Sequence, residues 1–275
     1  MKTKQAFFLA LILSVALTVA CGDDDTGTSV DDGGATLDEL PAAFEAFDQQ
    51  NTTIMLDGYE IIIESNGLPN HTSPYWSNTT ERTATDPRGT VLTTPAATEN
   101  HPLFSEPTAT SYEQMAPGNI DDFNGSYTLI VPAIPQKTTP SATSLGAIGI
   151  AVSGAMIYND EEGPNVPLDN AVGSLDYNGA HTGPQSYHYH LEPIAFSNDD
   201  DNLIAIMADG FFLYGRRDDA EGNYPTDLDE SGGHFGPTKY NPDGEYHYHV
   251  QNELYLNQYY ILFPGNYQGT PNAIN

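Results

Sequence analysis

The chain has 275 residues, with 38 Asp and Glu against 8 Lys and Arg, a formal net charge of −30 at pH 7. So acidic a surface repels nucleic acid and anionic lipid headgroups, which excludes partners drawn by positive charge. A single cysteine excludes an internal disulfide framework, so core packing, and a metal if one is held, must supply the stability.

In chain order, Met1, Lys2, Thr3 and Lys4 give a basic start, Ala6 to Ala20 an apolar run, and Cys21 follows directly. These are the parts of a secretory signal, and the run is shorter than the roughly 20 apolar residues of a membrane span. Thr18, Val19 and Ala20 before Cys21 resemble a bacterial lipobox, with Thr18 where Leu is usual. The resemblance implies a lipoprotein signal peptide over residues 1–20, lipid on Cys21, and an extracytoplasmic protein anchored to the cell envelope, at the outer membrane or cell surface. The alternative is an ordinary signal peptide with an incidental cysteine. Without Lys2 and Lys4, six Lys and Arg stand against 38 Asp and Glu, a formal charge of −32. A saline habitat accounts for that more simply than Ca²⁺ binding does.

Residues 21–50 read as an acidic linker. Gly22, Asp23, Asp24 and Asp25 open a small-residue tract to Ala35 that cannot bury apolar area. Within the linker, Leu37 to Asp48 carries a short helical pattern, with Thr36 as cap and Leu40, Phe44 and Phe47 on one side. Residues 51–275 read as one domain, and as β: turn residues are dense and long helical periodicity is absent. Expected strands are Tyr59–Glu64, Tyr127–Pro132, Ala147–Ser153, Met156–Tyr158, Leu203–Ala208, Phe211–Tyr214 and Tyr255–Phe263. Asn66 to Gly118, rich in Thr, Pro, Asn and Ser, reads as a long loop.

The chain repeats itself. Ile148, Ile150, Ser153, Gly154 and Tyr158 match Ile204, Ile206, Asp209, Gly210 and Tyr214 at an offset of 56. Each block reads as strand, Gly-containing tight turn, strand. Asp176, Gly179, His181, Gly183 and Pro184 then match Asp229, Gly232, His234, Gly236 and Pro237 at an offset of 53. Tyr187-His188-Tyr189-His190 matches Tyr246-His247-Tyr248-His249 after six further residues in the second copy. Three matched blocks in one order give internal repeats at about 145–195 and 201–252, related by a pseudo-twofold. The fold class is therefore all-β, a sandwich or distorted barrel with long loops.

Six of the eight histidines lie in these blocks. Alternate residues of a strand share a face, so His188 and His190 point one way and Tyr187 and Tyr189 the other, and likewise His247 and His249 against Tyr246 and Tyr248. Imidazoles two apart can converge on one ion. The Gly-x-His-x-Gly-Pro turns would bring His181 or His234 to its own pair or to the pair of the other half, leaving one shared site and two separate sites both open. Asp176 and Asp229 could accept the second imidazole N–H. All-nitrogen ligation suits Zn²⁺, Cu²⁺, Ni²⁺ or Fe²⁺, and copper or zinc is the expected ion. The competing account is a buried network in which histidines and tyrosines satisfy one another.

With these residues in view, the sequence resembles the YHYH-domain family. The resemblance rests on Ser65-Asn66-Gly67-Leu68-Pro69-Asn70-His71, the Gly154 hairpin, Asp209-Gly210 with Tyr214, Asp227-Leu228-Asp229, Gly233-His234, Tyr246-His247-Tyr248-His249, and Phe263-Pro264-Gly265-Asn266-Tyr267-Gln268-Gly269-Thr270. The chain departs from it at Ser231 and Asn266, where cysteine is common, so no cysteine link or ligand is available here. The resemblance adds His71 as a further ligand or substrate contact. His101 matches no motif.

The leading function read from the sequence is extracytoplasmic metal binding. The alternatives are a metalloenzyme with an open His-ligated position and Asp209, Asp229 or Glu245 as general base, and a surface or adhesion module with a structural His–Tyr network. No His-Glu-x-x-His and no Gly-x-Ser-x-Gly is present. The partners implied are the membrane, through the lipid, and a metal ion.

Overall fold

A computed structural model describes residues 36–71, 84–85, 91–92, 124–171, 175–176, 178–183, 185–218, 222–257 and 260–275. The signal peptide, Cys21, the acidic tract to Ala35, His101 and most of the long Thr- and Pro-rich loop lie outside the described residues.

Among the described residues, two sheets hold most of the strands, beside three two-stranded ribbons. The smaller joins β1 (Thr52–Asp57), β2 (Glu60–Ser65) and β3 (Tyr127–Pro132), all antiparallel, in that order. The larger has eight strands: β4 (Gly149–Ala151), β5 (Met156–Ile157), β6 (Ala180–Gly183), β7 (Ser186–Tyr189), β8 (Leu203–Met207), β9 (Phe212–Tyr214), β10 (Gly233–Gly236) and β11 (Glu245–His249). Their order is β6-β7-β5-β4-β8-β9-β11-β10. The sheet does not close, so the all-β fold is sandwich-like and not a barrel. Among the described residues there is no α-helix.

The register of the large sheet is itself two-fold. At its centre β4 and β8 pair antiparallel, Ile150 opposite Ile206, with Ala151 opposite Ala205 and Gly149 opposite Met207. Outward on one side come the antiparallel β5, the parallel β7 and the antiparallel β6. The other side repeats this with β9, β11 and β10. Gly154 (φ +104°) and Gly210 (φ +90°) occupy equivalent hairpin turns, a conformation side-chain-bearing residues rarely adopt. The duplication in the sequence is thus a duplication in space.

One apolar core joins Ile61, Ile63, Leu129 and Val131 of the small sheet to Ile148, Ile150, Ile204 and Ile206 of the large one. The alternation of β2, with Ile61 and Ile63 buried and Glu60 and Glu64 exposed, sets which face packs. β4, β5, β8 and β9 are buried throughout, as suits strands covered on both faces.

Four expectations need correction. The helix over Leu37–Asp48 is only a 3₁₀ turn, Ala42–Ala46, because Pro41 lacks an N–H and lies extended at its start (φ −50°, ψ 136°). Its apolar side is nonetheless buried: Phe44 and Phe47 lie in the main core, and Phe44 packs 5.2 Å from the Phe212 ring. This stretch therefore belongs to the folded body, not to the linker. Tyr255–Phe263 is not a strand, since Leu256 (φ +50°) and Asn257 (φ +59°) turn the chain there. The edge strand β1 was not among the expected ones, because its polar Thr52, Thr53 and Asp57 mask the alternation.

Candidate metal centres

Each half brings its own three imidazoles together. One donor atom from each of His181, His188 and His190 lies within 4.8 Å of the others, and the same holds for His234, His247 and His249. The mechanism is strand pairing. His181 on β6 is the direct cross-strand partner of His188 on β7, and His234 on β10 that of His247 on β11. The third imidazole of each set stands two residues further along on the same face. Between β7 and β11 lie five strand spacings, on the order of 24 Å along the sheet. The shared-site arrangement is thereby replaced by two separate centres.

Nε2 atoms face one another at the core of each centre. His181 and His188 approach to 3.0 Å; His234 lies 3.2 Å from both His247 and His249. The opposite ring nitrogens are engaged elsewhere. His190 Nδ1 donates to the Asn159 carbonyl at 2.6 Å, and His249 Nδ1 to the Gly215 carbonyl at 2.8 Å. His247 Nδ1 donates to the Glu245 carbonyl at 3.0 Å, and His234 Nδ1 to the Asp227 carboxylate at 2.9 Å. Carbonyls and carboxylates only accept, so each of these rings carries its proton on Nδ1.

Burial favours the neutral form of four of the rings, His188, His190, His247 and His249. It pushes His247 down to about 3, with His249 beside it adding to the fall. His190 falls to about 4 through burial and the nearby His181, and His249 to about 4 through burial against the raising effect of the Gly215 carbonyl. His188 is pushed well below the ordinary imidazole value by burial and then by His181 and His190. Neutral imidazole is the form that binds a metal.

A carboxylate borders each centre, and neither was singled out from the sequence. Glu162 Oε1 lies 3.3 Å from His181 Nε2 and 3.4 Å from His190 Nε2. Asp218 Oδ2 lies 3.7 Å from His234 Nε2. Burial pushes the Glu162 carboxyl up, but the proximity of His181 and then of His190 outweighs this and holds it below its usual range. The signal was present: 162 and 218 are 56 apart, each four residues after the matched Tyr158 and Tyr214. The carbonyls of Asn159 and Gly215, which accept from His190 and His249, stand at the same offset.

The tyrosines face the other side and are separately satisfied. Tyr187 donates to Asp176 at 2.6 Å, Tyr246 to Asp229 at 2.8 Å and Tyr248 to Asp209 at 2.6 Å, while Tyr189 bonds Ser153 at 2.8 Å. This corrects the role expected of Asp229. Its carboxylate takes Tyr246, the Lys137 ammonium and the N–H groups of Ser231 and Gly233, not an imidazole. Asp176 holds a tyrosine in the same way, on the face away from its triad. Asp209 accepts from Tyr248 and from the N–H groups of Phe211, Gln268 and Gly269, so it too is remote from the imidazoles as a general base.

His71 also sits on the tyrosine face, with Nε2 sharing a 2.6 Å hydrogen bond with the Tyr189 hydroxyl and Nδ1 lying 3.1 Å from the Asn178 amide. It is a partner of the tyrosine layer, not a ligand of the neighbouring triad. Glu245 is the one general-base candidate on the imidazole face. It accepts from Thr238 at 3.1 Å and Tyr214 at 3.3 Å, and burial raises its carboxyl.

Comparison with curated proteins and with solved structures gives no match. The family model described as YHYH protein matches residues 126–225, a span that holds the central strand pair and the whole first triad. Over residues 126–225 the chain is therefore similar to the YHYH protein family.

Proposed function

We propose that this protein is an exported, lipid-anchored metal-binding protein that holds two transition-metal ions, one in each half. The observation that carries the reading is the tautomer set at the second triad. His234, His247 and His249 each point Nδ1 at an acceptor-only group, so three Nε2 lone pairs converge, those of His247 and His249 each 3.2 Å from that of His234. Lone pairs so placed repel one another, and a cation among them turns the repulsion into coordination. A purely structural His–Tyr network does not account for this, because it would pair these atoms as the tyrosine face pairs its hydroxyls.

The test is metal analysis of the purified soluble domain after loading with Zn²⁺ or Cu²⁺. Two ions per chain are expected, one after His188→Ala or His247→Ala, and none in the double variant. A wild-type protein that takes up no ion, with thermal stability indifferent to metal, overturns the reading. The anchor is tested by Cys21→Ser, which is expected to move the protein from the membrane fraction to the soluble one.

A metalloenzyme is the second reading, favoured by one observation. A cavity of about 1010 Å³ reaches His234, Asp227 and Glu245 beside the second triad. An exchangeable coordination position at that centre, opening on the cavity, would mark catalysis instead of binding.

A further inference from the structure

We propose that Glu162 and Asp218 are the fourth ligands of the two centres, making each a closed site of three imidazoles and one carboxylate for a tetrahedral divalent ion of the Zn²⁺ class. This rests on the metal-binding reading and deepens it.

The distances have the right size. Four ligands about 2.0–2.1 Å from one ion stand at the corners of a tetrahedron whose edge is about 3.3–3.4 Å. In the first centre the edge His181 Nε2 to His188 Nε2 is 3.0 Å, and the edges from Glu162 Oε1 to His181 and His190 are 3.3 and 3.4 Å. In the second the edges from His234 Nε2 to His247 and His249 are 3.2 Å each, and the edge from Asp218 Oδ2 to His234 is 3.7 Å. The shorter Asp side chain leaves its oxygen slightly back from its corner.

A second observation is independent of distance. The His190 side chain is 1% exposed, and its Nε2 makes no hydrogen bond. Glu162 Oε1, likewise shielded from solvent, makes none of good geometry. A buried lone pair and a buried carboxylate oxygen 3.4 Å apart, both unsatisfied, are costly to leave so. Both atoms point into the same small space, and a cation there satisfies both at once.

The placement is also duplicated. Each acid lies four residues after a tyrosine of the repeat, on the same segment whose carbonyl orients the third imidazole: Asn159 for His190 and Gly215 for His249. One segment thus both orients a ligand and supplies one. The donor set is borderline to hard and holds no sulfur, which disfavours Cu⁺. A four-coordinate tetrahedral arrangement would disfavour the tetragonal preference of Cu²⁺.

The test uses the mature chain loaded with Co²⁺, whose visible absorption reports coordination number, and then with Zn²⁺ for affinity by chelator competition. Wild type is expected to hold two Co²⁺ with four-coordinate spectra that azide leaves unchanged. Glu162→Gln is expected to weaken one site by on the order of 100-fold or more, since a direct ligand matters at least as much as the outer-shell groups. It should also create an azide-sensitive band, and Glu162→Asp should restore part of the affinity. Asp218→Asn is expected to do the same to the other site only. Two wild-type ions whose spectra both shift with azide overturn the fourth-ligand assignment while leaving the triads as metal sites. That measurement needs no variant. A wild-type chain that binds no Co²⁺ or Zn²⁺ overturns both readings.

Discussion

Three of the four tyrosines of the two Tyr-His-Tyr-His strands give their hydroxyls to carboxylates, and Tyr189 shares hydrogen bonds with Ser153 and His71, which fixes the tyrosine face and so the side to which the intervening imidazoles turn. The pattern is chemically lopsided: phenols against carboxylates on one side, bare ring nitrogens on the other. The depressed imidazoles have a consequence for stability. His190, His247 and His249 sit at about 3 to 4 in the folded state, against about 6.5 when unfolded. Between those values the unfolded chain binds more protons, so folding weakens as pH falls. Metal-free protein is expected to show a melting temperature steady above pH 7 that drops steadily from about pH 6.5 to pH 4. Loss of metal by proton competition should steepen the fall in the loaded form. A melting temperature flat across that window would mean the rings are already charged in the fold. The histidine pairs were legible because period two and an exact repeat are strong signals. The acids were harder to see, because Glu in one copy answers Asp in the other, although both stand at the repeat offset of 56.

At the scale of elements, the hairpins β6–β7 and β10–β11 gather the imidazoles, and a glycine in each makes room for the rings. A Cβ on Gly183 would meet His188 Cε1 at 2.6 Å, closer than real contacts allow. At the equivalent Gly236 the nearest atom, His234 Cε1, is 3.3 Å away. Gly183→Ala is therefore expected to displace the His188 ring and lower metal content from two ions to one. Gly236→Ala should keep two ions with at most a modest loss of affinity. Equal behaviour of the two variants, measured by metal content after dialysis, would contradict this packing account. The strand order could not be read from the sequence. Parallel pairing of β5 with β7 and of β9 with β11 joins segments far apart in the chain, and nothing in the local pattern specifies it. The six residues inserted between β10 and β11 lengthen a loop and leave the register of His234 with His247 unchanged.

For the whole molecule, separation of the centres by five strand spacings exceeds the Debye length of about 8 Å at physiological ionic strength, so the two ions should bind without mutual influence. His234→Ala is expected to remove one ion and leave the affinity of the other within about twofold. Ion at a hundred times its dissociation constant stabilises the fold by about 2.7 kcal/mol per site. For a folded body of this size, that raises the melting temperature by roughly 5–10 °C per site. A calorimetric scan with and without Zn²⁺ checks this, and an unchanged midpoint would speak against both centres. The fold class was legible from turn density and short strands. The segment from Leu37 to Phe47 was not recognised as part of the body, because its acidic surroundings hide two phenylalanines that bury themselves beside Phe212.

The central strand pair carries one more implication. Ile150 faces Ile206 across an axis that exchanges the halves, so the inner edge of each half reads the same when turned end over end. An edge of that kind is self-complementary: it would join a second copy of its own half as readily as it joins its neighbour in this chain. The architecture is that of a symmetric dimer held within one chain. Joined in one chain, the lobes need not be identical, and Glu162 stands in one where Asp218 stands in the other.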